Sequence, residues 1–254
     1  MGRLGVIGGS AFPEGSPPEG TRPRRVETER GEVVVHLDGA LAFLHRHGPD
    51  DRPPHRVRHH AHALALDALG VAGTVGLCSV GALHDDLAPG TLVVPSDYLS
   101  LHPPPTSAGD RRLHVVPELD AGLRRRLLRA AREGGGPVRD GGVYAETRGP
   151  RFETRAEIRL LADYADVVGM TAASEATLLQ ERGIAYAVLG VVDNYAHGVG
   201  DGELTLEGFE ESVEANRARA RSVLRSLRDR EGGNGGSDVA GGTTNSSDFR
   251  EGAG

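Results

Sequence analysis

The chain has 254 residues, 38% of them hydrophobic and 26% charged, with a formal net charge of −7 and a mean hydropathy of −0.33. That length fits one core of ordinary size, and an acidic chain without a dense basic run excludes a nucleic-acid partner gripped along its phosphate backbone. A single cysteine, Cys78, excludes an intrachain disulfide and a Cys-rich metal site and suits a reducing cytoplasm; no apolar window reaches membrane-spanning length, so no membrane partner is expected.

The first element, Leu4–Ile7, reads as a buried strand that runs into Gly8-Gly9-Ser10. Glycine there lets the backbone approach a ligand and Ser10 offers a hydroxyl, which suits an oxyanion as well as it suits a plain turn. The G-x-G-x-x-G pattern of a dinucleotide site is missing. Residues 13–25, rich in Pro, Gly and Arg, read as a loop, and Glu32–Leu37 with Leu41–His45 as two strands around an Asp38-Gly39 turn. The second strand ends in Arg46-His47-Gly48, where a guanidinium fork beside an imidazole suits phosphate, although a solvated loop pair explains the same residues. After Pro53-Pro54 the pattern predicts a helix over His55–Leu69, closed by Gly70. His55, His59 and His62, at i, i+4 and i+7, share a face of that helix. No Cys or helix-borne carboxylate joins them and no H-E-x-x-H pattern is present, so they read as a packing or subunit contact and no metal is expected.

Val71–Val80 is predicted as a strand that leads into small residues at its carboxyl edge, Cys78-Ser79-Val80-Gly81-Ala82; Leu92–Val94 is another strand. The Pro-rich segment 102–110 reads as a loop long enough to serve as a lid or subunit contact. Leu119–Glu133 is an amphipathic helix ended by Gly134–Gly136, and Val138–Tyr144 a strand. Gly149–Thr171 holds a Gly-Pro turn, Phe152, Glu153, a helix over Thr154–Tyr164 with Glu157 at its positive end, and a strand over Asp166–Met170. Ser174–Gly183 is a helix with Ser174 as N-cap. Tyr186–Val192 is a strand that stops in Asp193, Asn194 and Tyr195, and polar residues at such an edge face the place where open α/β sheets bind ligands. Leu206–Arg228 is the closing helix, and from Glu231 onward Gly, Ser, Asn and Thr dominate, which divides the chain into a domain over 1–230 and a disordered tail over 231–254. Strands that alternate with helices predict an α/β sheet with helices on both faces.

Seven stretches, GVIGGS (5–10), RHG (46–48), CSVGAL (78–83), PGTLVVPSDYL (89–99), GPRFETRAE (149–157), DVVGMTAASEA (166–176) and VVDNYA (191–196), resemble in order the purine nucleoside phosphorylase and methylthioadenosine phosphorylase family over about residues 4–228. The resemblance implies a single-domain phosphorylase-type α/β fold, a central mixed β-sheet flanked by helices, assembled as a homotrimer or dimer of trimers. It implies transfer of a ribosyl group from a purine to inorganic phosphate, a co-substrate, without a metal or organic cofactor. Position by position, Ser10, Arg46, His47, Cys78, Ser79 and Thr171 fall where the family binds phosphate, Met170 under the ribose and Phe152 near the base. Leu206 and Phe209 fall where the family lines the pocket for the 5′ substituent. Cys78 stands where Thr or Ser is usual, Ala82 where Ser is common, and Arg148 where an acidic residue often precedes Gly-Pro.

Members of that family that act on 6-aminopurines carry an Asp-Tyr-Asp pattern, and the positions that correspond here, counted from Met170, are Asn194, Tyr195 and Ala196. Members that act on 6-oxopurines pair an Asn there with a Glu after the stacking Phe, and Glu153 follows Phe152. A 6-oxopurine presents an N1–H donor and an O6 acceptor, so Glu153 accepts while the Asn194 amide donates, and the amide also holds N7 as charge builds on the base. Adenine mismatches both groups, a difference that can discriminate by about 10⁴-fold. The expected activity is phosphorolysis of inosine and guanosine in purine salvage, with Asn194, His47 and Arg46 as the catalytic residues. Two alternatives stay open: a 5′-methylthio nucleoside, methylthioinosine or methylthioadenosine, to which Leu206 and Phe209 are suited, and a non-catalytic purine- and phosphate-binding scaffold, motivated by Cys78 and Ala82. Asp193 reads equally as a site residue and as an ordinary strand end.

Overall fold

A computed structural model describes residues 2–13, 16–200 and 202–233. Strand β1 (Leu4–Gly8) lies between β4 (Leu41–His45) and β5 (Gly73–Ala82), parallel to both. On the β4 side, β2 (Arg22–Val26) and β3 (Val33–Leu37) extend the sheet as antiparallel strands. Along nearly its whole length β5 also pairs in parallel with β11 (Ala185–Tyr195). The end of β5, Gly81 and Ala82, pairs antiparallel with β10 (Val167–Gly169), beyond which lie β9 (Val143–Glu146) and β7 (Asp97–Ser100). Beyond β11 come β6 (Leu92–Val94) and β8 (Val138–Asp140). The result is a mixed sheet whose parallel strands β1, β4, β5 and β11 all end at one edge.

The period-2 alternation of β5 divides the core. Val75 and Leu77 join Leu123 and Leu127 of α2 (Ala121–Glu133) and Val223, Leu224 and Leu227 of α5 (Leu206–Gly233). Cys78, Val80 and Ala82 join the opposite cluster, with Leu66 of α1 (His59–Ala68) and Ala176 and Leu179 of α4 (Ala172–Gln180). A third cluster seats α3 (Arg155–Ala162) through Ile158 and Leu161 against Leu83, Val168 and Ala196. Helix starts follow local chemistry: Asp120 accepts a hydrogen bond from the Leu123 amide at 2.7 Å, and Thr154 and Glu157 form a reciprocal capping box.

Several elements differ from expectation. Residues 22–26 are a strand, not loop; its charged and Pro-containing sequence suits the exposed edge it occupies. The helix predicted from His55 starts at His59, because Pro54–Arg56 form a separate 3₁₀ turn and Val57 returns to an extended backbone. His55 therefore leaves the face it was expected to share with His59 and His62, and among the described residues no three His, Cys, Asp or Glu side chains gather as a metal site. The strand predicted over 138–144 is two strands separated by Gly141 and Gly142, both at positive φ. Thr171, not Ser174, is the N-cap of α4; Ser174 lies inside the helix and gives its amide and hydroxyl to Glu146 of β9. Strand β11 does not stop at Val192 but continues through Tyr195, and α5 continues through Gly233. The tail expected over 231–254 lies outside the described residues from 234 onward.

Candidate active site

The shared edge of β1, β4, β5 and β11 opens on a cleft of about 580 Å3. Ser10, Arg46, His47, Cys78, Ser79, Phe152, Glu153, Met170, Thr171, Asn194, Ala196, Leu206 and Phe209 all line it. Segments far apart in sequence therefore converge on one cavity. Gly9 is at its floor, where any Cβ would run into the Arg46 side chain and the Leu77 carbonyl.

At that floor Arg46 is buried and turns its fork inward. Its Nε donates to Glu175 Oε1 at 2.5 Å and its Nη2 to Glu175 Oε2 at 3.1 Å, while Nη1 donates to the Leu77 carbonyl at 2.8 Å. Nη2 also lies 3.3 Å from the Ile7 carbonyl and 3.2 Å from Cys78 Sγ. Of the five guanidinium N–H groups, one on Nη1 is left over. The forked grip on an anion that the sequence suggests is thus spent on Glu175, whose other donor is the Tyr186 hydroxyl at 2.7 Å. Burial opposes the charge of Arg46, and the ion pair with Glu175 outweighs it, so the guanidinium stays protonated.

His47 beside it donates from Nδ1 to the Arg52 carbonyl at 2.7 Å, the tautomer that leaves Nε2 as an acceptor. Burial and then the charge of Arg46 lower its pKa, which favours the neutral ring. Burial likewise pushes the Cys78 thiol up to about 11, so it is neutral near pH 7; its Sγ lies 3.8 Å from Thr171 Oγ1. Because Glu146 serves the start of α4 through Ser174, Thr171 makes no side-chain cap bond.

Strand β11 carries a bulge between Val192, opposite Val80, and Asn194, opposite Gly81, with Asp193 as the extra residue. Asp193 is buried, accepts from the Ser79 hydroxyl, and accepts from Asn216 of α5 at 2.8 Å. Burial raises its pKa against those two hydrogen bonds. The Asn194 amide donates one N–H to the Tyr195 carbonyl at 2.7 Å, which leaves the second N–H and Oδ1. Across the cleft, buried Glu153 accepts through Oε1 from the Thr147 hydroxyl at 2.5 Å. The Phe152 and Phe209 rings meet edge to face with centroids 5.9 Å apart. The wall from α5 combines Leu206, Phe209 and Val213 with Glu210, Glu214 and Arg217.

Sequence reasoning missed Glu175, Thr147, Asn216 and Tyr186. Each is an ordinary polar or aromatic residue, and which group it meets is set by the folded backbone, Thr147 meeting Glu153 six residues on, beyond the Gly-Pro turn. Arg148 is exposed and lines a second cleft instead, and Ala82 is fully buried.

A family model described as the phosphorylase superfamily matches residues 2–228. A protein of Archaeoglobus fulgidus named a probable 6-oxopurine nucleoside phosphorylase is 40% identical over 228 residues, with 87% of this chain and 93% of that protein covered. A protein of Methanopyrus kandleri named a probable S-methyl-5′-thioinosine phosphorylase is 39% identical over 239 residues, covering 88% and 91%. Among solved structures, a methylthioadenosine phosphorylase from an antarctic soil metagenomic library superposes with a TM-score of 0.75 at 25% identity, over 94% of this chain and 89% of that one.

Proposed function

The chain belongs to the phosphorylase superfamily and is an enzyme of the purine nucleoside phosphorylase type, and we propose that it cleaves the 6-oxopurine nucleosides inosine and guanosine with inorganic phosphate. The observation that carries this reading is the pairing of Glu153, a carboxylate with one oxygen open, and Asn194, an amide with one N–H open, on a single cleft. That pair complements a purine with N1–H and O6, and the names of relatives in Archaeoglobus fulgidus and Pyrococcus furiosus point the same way.

In the proposed reaction a phosphate oxygen forms a bond to C1′ of the ribose as the C1′–N9 bond breaks, and the bonding pair leaves with the purine. Ser10, Thr171 and the remaining Arg46 N–H donate to the anion, and neutral His47 accepts through Nε2 from a protonated phosphate oxygen or a sugar hydroxyl. Asn194 stabilises charge that grows on the base, and such contacts, stronger late in the reaction, lower the barrier. Met170 and the Phe152–Phe209 pair hold ribose and base in line, so positioning and electrostatics supply the rate and no cofactor enters the scheme.

The same reading includes one catalytic domain over residues 1–230, assembly as a homotrimer or dimer of trimers, and a cytoplasmic location in keeping with the lone buried thiol of Cys78. A second substrate, S-methyl-5′-thioinosine, is favoured by the apolar wall of Leu206, Phe209 and Val213, which suits a thioether. Turnover of inosine, guanosine, methylthioinosine and methylthioadenosine, each with and without phosphate, tests the proposal. The expected products are hypoxanthine or guanine with the sugar 1-phosphate, and only when phosphate is added. Efficient cleavage of methylthioadenosine alone, or cleavage without phosphate, would overturn it.

A further inference from the structure

Glu153 is fixed at both ends. Its side chain accepts at Oε1 the single hydroxyl proton of Thr147, at 2.5 Å, and Oε2, which is not buried away from the cleft, has no partner among the described residues. Its backbone carbonyl accepts from His197 Nδ1 at 3.0 Å. His197 Nε2 in turn accepts from Arg155 Nε at 3.3 Å, so one neutral tautomer satisfies both contacts. Thr147 is itself anchored, since its amide donates to the Gly169 carbonyl at 2.9 Å immediately after the β9–β10 pairing ends at Glu146 and Gly169.

We propose that Thr147 is a positioning residue that sets the selectivity of the site between 6-oxo- and 6-aminopurines, by holding the Glu153 carboxylate with one oxygen occupied and the other presented to the base. This rests on the 6-oxopurine reading given above. A carboxylate held in that way offers the base a single acceptor. It suits N1–H and opposes the N1 lone pair of an adenine. Without the hydroxyl the carboxylate is free to turn and no longer holds one acceptor fixed against the base, so the penalty against the wrong base shrinks.

The test replaces the hydroxyl by a methyl group of the same shape, Thr147→Val, and measures kcat/KM for inosine and for adenosine together with the KM for phosphate. The inosine to adenosine ratio is expected to fall by about tenfold or more, the size of a hydrogen bond to a charged group. Phosphate KM is expected to stay within about twofold, because the anion end of the cleft is built from other segments. Thr147→Ser is expected to restore the ratio. Should the valine variant fail to fold, Thr147→Cys against Thr147→Ser gives the same comparison, with the weaker thiol donor lowering the ratio. A parental ratio in the valine or cysteine variant, or a serine variant that does not restore it, overturns the role of Thr147 and leaves the 6-oxopurine reading intact. A parent enzyme that prefers adenosine overturns both.

Discussion

Asn194 and Glu175 show how differently two residues of one cleft can be tested. Replacing the amide by a carboxylate, Asn194→Asp, removes the donor proposed for O6 and supplies an acceptor for an exocyclic amine. The change is expected to lower kcat/KM for inosine by roughly 10²-fold, about 2.7 kcal/mol, and to raise that for adenosine, as measured by initial rates at fixed phosphate. Glu175→Ala acts on stability instead, because it strands the buried Arg46 without its counter-charge. A loss of about 3–5 kcal/mol in denaturant unfolding is expected. The cleft residues proposed to meet the base, Asn194, Phe152 and Glu153, could be picked out in the sequence because each ends a strand or follows a Gly-Pro turn inside a short motif. Glu175 and Thr147 were not, since nothing in their own segments announces that Arg46 or Glu153 lies opposite. The inward fork of Arg46 was misread for the same reason: its acceptors come from β1, β5 and α4.

At the level of elements, hydrophobic runs revealed most strands and helices, whereas boundaries turned on long-range partners. The sequence suggested a strand ending at Val192, but pairing with Gly81 and Ala82 carries β11 through Tyr195 once the bulge at Asp193 is allowed. A capping box is local and was partly visible in the early placement of Glu157. Thr154→Ala is expected to cost about 1 kcal/mol and to lower the Tm by about 2–4 °C in thermal denaturation. Helix α1 carries a pH-sensitive burden: burial lowers the pKa of His62 well below 6.5 and that of His59 to about 4. The unfolded chain takes up protons near pH 6.5 that the folded one refuses, so this part of the stability is complete above pH 6.5 and is lost as the pH falls below it. Burial raises the pKa values of Glu146 and Asp193 and works in the opposite direction over part of that range. His62→Leu isolates the histidine: its stability is expected to fall less steeply on acidification than that of the parent, by up to about 1.4 kcal/mol per pH unit. An identical slope in denaturant titrations would contradict this origin.

For the whole molecule, the mixed sheet gathers the strand ends that carry the site, and the architecture was readable because seven short motifs kept their order along the chain. Assembly is the property least visible in one protomer. The segment after β7 leaves Leu101 59% and Val116 81% exposed, while Glu181 holds Thr106 and Ser107 in place. Apolar side chains on an anchored loop support the proposed subunit contact. Sedimentation is expected to give about 80 kDa, three protomers of 26.7 kDa, with Val116→Asp shifting the chain towards the protomer. The central claim, a cleft that reads a keto-purine through Glu153 and Asn194, is tested most directly by calorimetric titration of the enzyme with hypoxanthine and with adenine in the presence of phosphate. Hypoxanthine is predicted to bind at least about 10²-fold more tightly. Adenine binding as tightly as hypoxanthine, or more tightly, would contradict the account.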